Sequence, residues 1–124
     1  MELTIKGITY PLKAGFRFLT KLEESSKKEI SGDKYDWGLV EYYTQAFLMG
    51  DIRYLIKILL AMSEGQNPKL TKAILEEWIE ELDGDEIDNL FSEVKDFLLK
   101  ANVCRMKLKA LGLTEKPEIQ DIKA

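Results

Sequence analysis

The chain has 124 residues, 45% of them hydrophobic and 32% charged, with a formal net charge of -4. A chain of this size buries about two-thirds of its unfolded surface, enough for one core without disulfides or metal, and too little for two domains. Histidine is absent. That removes the commonest general base, the commonest metal ligand and every Ser-His or Cys-His pair. The single cysteine, Cys104, can make neither an internal disulfide nor a zinc site, so a reduced intracellular compartment is the natural setting. The sequence pI near 5.0 argues against a duplex nucleic-acid binder, which needs a surplus of Lys and Arg on one surface. No apolar run approaches the roughly 20 residues that span a bilayer, and Met1-Glu2-Leu3-Thr4-Ile5-Lys6 is unlike a signal peptide. No membrane and no cofactor are expected.

Residues 2–12 alternate between apolar and polar. A turn at Lys6-Gly7 would set Ile5 opposite Ile8 and Leu3 opposite Tyr10, placing Leu3, Ile5, Ile8, Tyr10 and Leu12 on one face. This predicts a hairpin with one wet side, Pro11 on an edge, lying against the helices that follow.

From about Ala14 the period lengthens. Phe16, Leu19 and Leu22 mark one side of a first helix that ends at Ser31-Gly32-Asp33. Asp36 is the expected N-cap of a second, with Leu39, Val40, Tyr43, Ala46 and Phe47 inward and Gly50 as its stop. Asp51 can cap a third helix, Ile52 to Met62, whose only charges are Arg53 and Lys57; such a helix must be enclosed on most of its circumference. After Gly65, Asn67 and Pro68, a fourth begins near Thr71, with Ile74, Leu75, Trp78, Ile79 and Leu82 inward and Glu76, Glu77, Glu80 and Glu81 toward water.

The last helix is expected to start near Asp85 and run toward Gly112, about 42 Å if unbroken. That exceeds the width of so small a domain, so its far end should project. Ile87, Leu90, Phe91, Val94, Phe97, Leu98, Ala101, Cys104 and Leu108 form one stripe. Leu99, Val103 and Met106 form a second, nearly opposite, and apolar faces on both sides need two partners. Residues 1–112 read as a single mainly α domain of about five helices with the hairpin at 2–12, and residues 113–124 as a loose tail.

Candidate chemistry is thin. A calcium loop started at Asp83 needs Gly sixth and Glu twelfth, where Asp88 and Val94 stand; the acidic run suits the first turn of a helix instead. The pairs Glu23-Glu24, Glu76-Glu77 and Glu80-Glu81 fall on solvated faces, whereas acid/base carboxylates need an enclosed site. Cys104 lies on an apolar stripe and reads as a core thiol. The glycines match no phosphate-binding loop. Arg105, Lys107, Lys109 and Lys116 complement a helix C-terminus more simply than they do an acidic partner or nucleic acid. Trp37, Tyr42 and Tyr54 sit beside the main stripes as half-buried aromatics. These readings favour an interaction protein over an enzyme.

The opening Leu3-Thr4-Ile5-Lys6-Gly7-Ile8-Thr9-Tyr10-Pro11-Leu12-Lys13 with Gly15-Phe16, then Leu48-Met49-Gly50-Asp51-Ile52, Pro68-Lys69-Leu70-Thr71 and Leu82-Asp83-Gly84-Asp85 with Ile87 and Leu90-Phe91, follow a definite order. Over about residues 1–100 that order resembles tail assembly chaperones of long noncontractile-tailed phages of Gram-positive hosts. Lys6-Gly7 replaces the usual Asn-Gly-like turn of that family. The resemblance implies a non-enzymatic protein of the host cytoplasm, absent from the mature virion. It implies binding of the tape-measure protein until tail-tube subunits displace the chaperone, together with self-association into homo-oligomers. Leu99, Val103 and Met106 are the candidate partner-binding residues. The rival reading is a small helical regulator of transcription or host takeover using the same apolar surface.

Overall fold

The computed structural model describes residues 1–25, 29–30, 33–34, 38–110 and 112. It opens with β1 (Glu2–Ile5) and β2 (Ile8–Pro11), an antiparallel hairpin with Ile5 opposite Ile8 and Leu3 opposite Tyr10. Lys6 and Gly7 both have positive φ, 51° and 83°, the tight turn whose twist matches that of the strands it joins. The anticipated register therefore holds, and Leu3, Ile5, Tyr10 and Leu12 are buried. Ile8 departs from expectation: it shares their face but lies at the hairpin tip and stays exposed. The tip is tethered by an ion pair of 2.6 Å from Lys6 Nζ to Glu77 on the fourth helix.

Helix α1 (Phe16–Ser25) buries Phe18 and Leu22, one turn apart, against the core. The expected Phe16–Leu19–Leu22 stripe is thus rotated: Leu19 is half-buried, and Phe16, the helix's first residue, is 76% exposed. The short strands β3 (Glu29–Ile30) and β4 (Asp33–Lys34) pair antiparallel in the segment read as a helix end. Ser31, Gly32, the proposed cap Asp36, Trp37, Lys116 and the tail 113–124 lie outside the described residues.

Helix α2 (Gly38–Tyr43) begins in close contact with α1. A Cβ on Gly38 would lie 2.7 Å from the Leu22 carbonyl carbon and 2.9 Å from the Glu23 nitrogen. Only glycine lets the two backbones approach so closely. The helix widens into a π turn over Thr44–Leu48, where Met49 N–H donates to the Thr44 carbonyl and Asp51 N–H to that of Gln45. Gly50, with φ 71°, ends it. Leu39, Tyr43 and Ala46 are buried as anticipated; Tyr42, assigned to the margin, is buried as well, 5% exposed, because α2 packs on both α1 and α3.

Helix α3 (Ile52–Ser63) is the enclosed helix that its composition demanded. Asp51 caps it by accepting from Arg53 N–H at 3.0 Å, and Leu55, Ile56, Ile58, Leu59, Ala61 and Met62 are buried. Its last turn anchors two neighbours: Met62 carbonyl accepts from Lys13 N–H at 3.0 Å, and the buried Ser63 hydroxyl accepts from Leu70 N–H at 2.7 Å. Thr71 caps α4 (Lys72–Glu80) through Ile74 N–H. Asp83 and Glu86 form a reciprocal capping box at the start of α5 (Gly84–Lys100).

The last helix is not continuous. Ala101 has ψ 131°, extended, and the chain restarts as α6 (Asn102–Ala110), which makes six helices among the described residues where about five are expected. The bend folds Cys104 and Leu108 into the same core as Leu90, Val94 and Leu98 rather than letting the far end project.

Gly38→Ala is expected to lower unfolding free energy by roughly 1–3 kcal/mol, the range for an overpacked contact, as read by urea denaturation. Gly84→Ala, with nothing within 4 Å of its added carbon, is expected to be neutral or stabilising by a few tenths of a kcal/mol on the order of helix propensity.

Candidate partner-binding surface

Among the described residues, the large apolar side chains left most open are Phe16 (76%), Met49 (68%), Met106 (64%) and Leu48 (59%). They reach the surface for different local reasons. Phe16 stands at the N-terminus of α1, before that helix turns its apolar side inward. It rims a groove of ≈ 430 Å³ with Ala14, Phe97, Ala101 and Val103, flanked by Lys13 and Lys100. Leu48 and Met49 come from the C-terminal end of the π turn, where Gly50 reverses the chain. Beside them, Phe47, Ile52, Ile87 and Phe91 line a second groove of the same size, ≈ 430 Å³. Its walls are held by aromatic contacts, Tyr43 to Phe47 tilted at 4.9 Å and Phe47 to Phe91 edge-on at 6.1 Å between ring centres.

The three residues proposed from sequence do not form one surface. Leu99 and Val103 are partly buried against the core, and Met106 alone is open to solvent. Their i, i+4, i+7 spacing makes a stripe only on a continuous helix, and the bend at Ala101 falls between Leu99 and the other two. Phe16, Leu48 and Met49 are surface residues that sequence reasoning misses. Their signals, an aromatic directly after Gly15 and an apolar pair directly before Gly50, are weak without knowledge of where the neighbouring helices lie.

Charged groups are arranged for solubility and capping. Glu76, Glu77, Glu80 and Glu81 are exposed, and among the described residues no His, Cys, Asp or Glu cluster could hold a metal ion. Hydrogen bonding to Lys6 lowers the Glu77 pKa and correspondingly raises that of Lys6. Arg105, Lys107 and Lys109 are exposed on α6, the latter two in its last turn, where cations complement the helix dipole. Tyr42 and Tyr54 meet edge to face at 5.3 Å, with Lys57 Nζ 4.5 Å from the Tyr54 ring centre. Cys104 is fully buried, and loss of hydration pushes its thiol up to about 12. That is a structural thiol, as its place on the apolar stripe indicates. No helix among the described residues is long and apolar enough to cross a membrane.

Fold and surface together define a small helical protein with apolar side chains and shallow grooves available to other chains. The family model described as phage tail assembly chaperone protein, TAC, matches residues 2–112, and the chain belongs to that family. The match spans the hairpin and every helix among the described residues, and membership of a chaperone family points to a non-enzymatic role. No curated protein and no solved structure matches the chain.

Burial of Cys104 makes two measurable demands. The native thiol should resist Ellman's reagent at pH 8 and react rapidly once denaturant is added. Between about pH 9 and 12 the unfolded chain loses the thiol proton while the native chain keeps it, so stability should fall as pH rises, by at most about 1.4 kcal/mol per unit. Denaturation curves of Cys104→Ala should show a shallower fall over the same interval.

Proposed function

We propose that this protein covers apolar helical segments of the tape-measure protein in the host cytoplasm and holds them soluble until tail-tube subunits assemble around them. It then leaves, and is absent from the finished virion. The observation that carries the reading is family membership across residues 2–112. The surface supports it. Helix-in-groove binding requires apolar area and a few flanking charges, and the grooves beside Phe16 and beside Leu48-Met49 supply both. A client that must later be surrendered is better held by several shallow contacts than by one deep pocket, because each can be displaced in turn.

Tail-tube protein is the proposed competitor, and the chaperone is proposed to associate with copies of itself. Leu99, Val103 and Met106 are proposed as contacts for client or copy. Met106 is available in the folded monomer, whereas Leu99 and Val103 need a change in the α5–α6 junction to become so.

Co-expression with a candidate tape-measure protein should move that protein from the insoluble to the soluble fraction. A client equally insoluble with and without the chaperone would sink the proposal. Phe16→Ser combined with Met49→Ser should preserve the melting temperature within a few degrees, since both side chains lie largely in water, while lowering the yield of soluble client severalfold.

A further inference from the structure

The bend between α5 and α6 lies in a sequence with no helix breaker. From Asp85 to Leu111 there is neither glycine nor proline, and Ala101, the one non-helical residue between Gly84 and Ala110, belongs to the type most favourable to helix. Ala101 closes α5 and opens α6 at once: its N–H donates to the Leu98 carbonyl at 3.2 Å, and its carbonyl accepts from Arg105 N–H at 2.9 Å. As an N-cap it has no side-chain oxygen to offer the first turn of α6, and as a C-cap it is not followed by a left-handed glycine. The stretch Asn102-Val103-Cys104 is a local dip in helix propensity, which explains where the bend falls.

Tertiary burial therefore makes the bend. The stripe Leu90, Val94, Leu98, Cys104 and Leu108 continues across it with helical spacing, and both α6 members, Cys104 and Leu108, are 0% exposed. Straightening the junction would restore the continuous helix that local preference favours, but would carry those two side chains out of their own core. The loss is made good if the seat they leave is refilled by an identical helix.

We propose that two copies of this chain associate by exchanging α6, each straightening at Ala101 and placing Cys104 and Leu108 in the core of the other. The occupant is specified by the structure itself, since the seat already holds this helix with both side chains fully covered. Exchange of an identical element reuses native contacts and is a low-cost route to assembly. It also aligns Leu99, Val103 and Met106 on one side of a straight helix, creating the second stripe that the bent monomer interrupts. This inference rests on the self-association reading above, though not on the identity of the client.

Asn102→Pro separates the two forms. Proline suits the first position of α6 and holds the preceding residue extended, as Ala101 already is, but interrupts a continuous helix. Sedimentation velocity should show concentration-dependent association of the wild type, weakened at least about a hundredfold in Asn102→Pro. Ala101→Ser, which supplies the missing cap to the bent form, should weaken association about fivefold without threatening the fold. Spin labels on noncanonical residues at positions 88 and 109, diluted with unlabelled protein, should report a separation near 32 Å in the associated form, the length of about 21 helical residues. The monomer should give only shorter distances. Oligomers that lack the long distance and ignore both substitutions would overturn the exchange alone. A chain that stays monomeric at every concentration would overturn the exchange and the self-association reading together, leaving the client assay to stand or fall separately.

Discussion

The structure depends on the burial of α3. A twelve-residue helix whose only charged side chains are Arg53 and Lys57 cannot rest on one neighbour, because its apolar arc is wider than a single helix can cover. It is enclosed instead by α1, by α2 with its π turn, and by α4. Its last turn also organises backbone outside these contacts. The Met62 carbonyl holds the exit of the hairpin through Lys13, and the Ser63 hydroxyl, buried with its surroundings, satisfies the Leu70 amide at the approach to α4. Ser63 is the single buried polar residue among those described, and it sits where a non-helical amide would otherwise lack an acceptor in the interior. Packing and hydrogen bonding thus converge on one turn of one helix.

What surrounds that core was legible in the sequence wherever a local rule and the tertiary requirement agree. Lys6-Gly7 can adopt the positive φ values of a tight hairpin turn, so the register of Leu3, Ile5 and Tyr10 follows without knowledge of the helices. Asp51 caps α3 as anticipated, and Thr71, near which the fourth helix is expected to begin, proves to be its cap. The enclosure of α3 follows from composition alone.

The failures have equally definite causes. Wheel geometry assumes an α-helical period, so it cannot anticipate the π turn at Thr44–Leu48 or the open position of Leu48 and Met49 beyond it. It also treats an apolar residue at a helix start as part of the stripe, although Phe16 precedes the first turn that packs and points into solvent. The stripe geometry of Leu99, Val103 and Met106 requires a helix running through Ala101, where the bend is marked in sequence only by the weak helix formers Asn102, Val103 and Cys104. The candidate surface was consequently less legible than the fold. Burial is a property of neighbours distant in the chain, whereas turns and caps are decided within a few residues.

The π turn has a consequence for how aromatic side chains are shared between layers. A turn of that kind holds about one residue more than an α turn, so the chain leaves it out of phase with the helix that entered. Tyr42 meets Tyr54 on α3, while the adjacent Tyr43 meets Phe47, which in turn meets Phe91 on α5. Neighbouring tyrosines at the end of α2 thus serve different layers, Tyr42 reaching α3 directly and Tyr43 reaching α5 through Phe47, the ring that the widened turn carries.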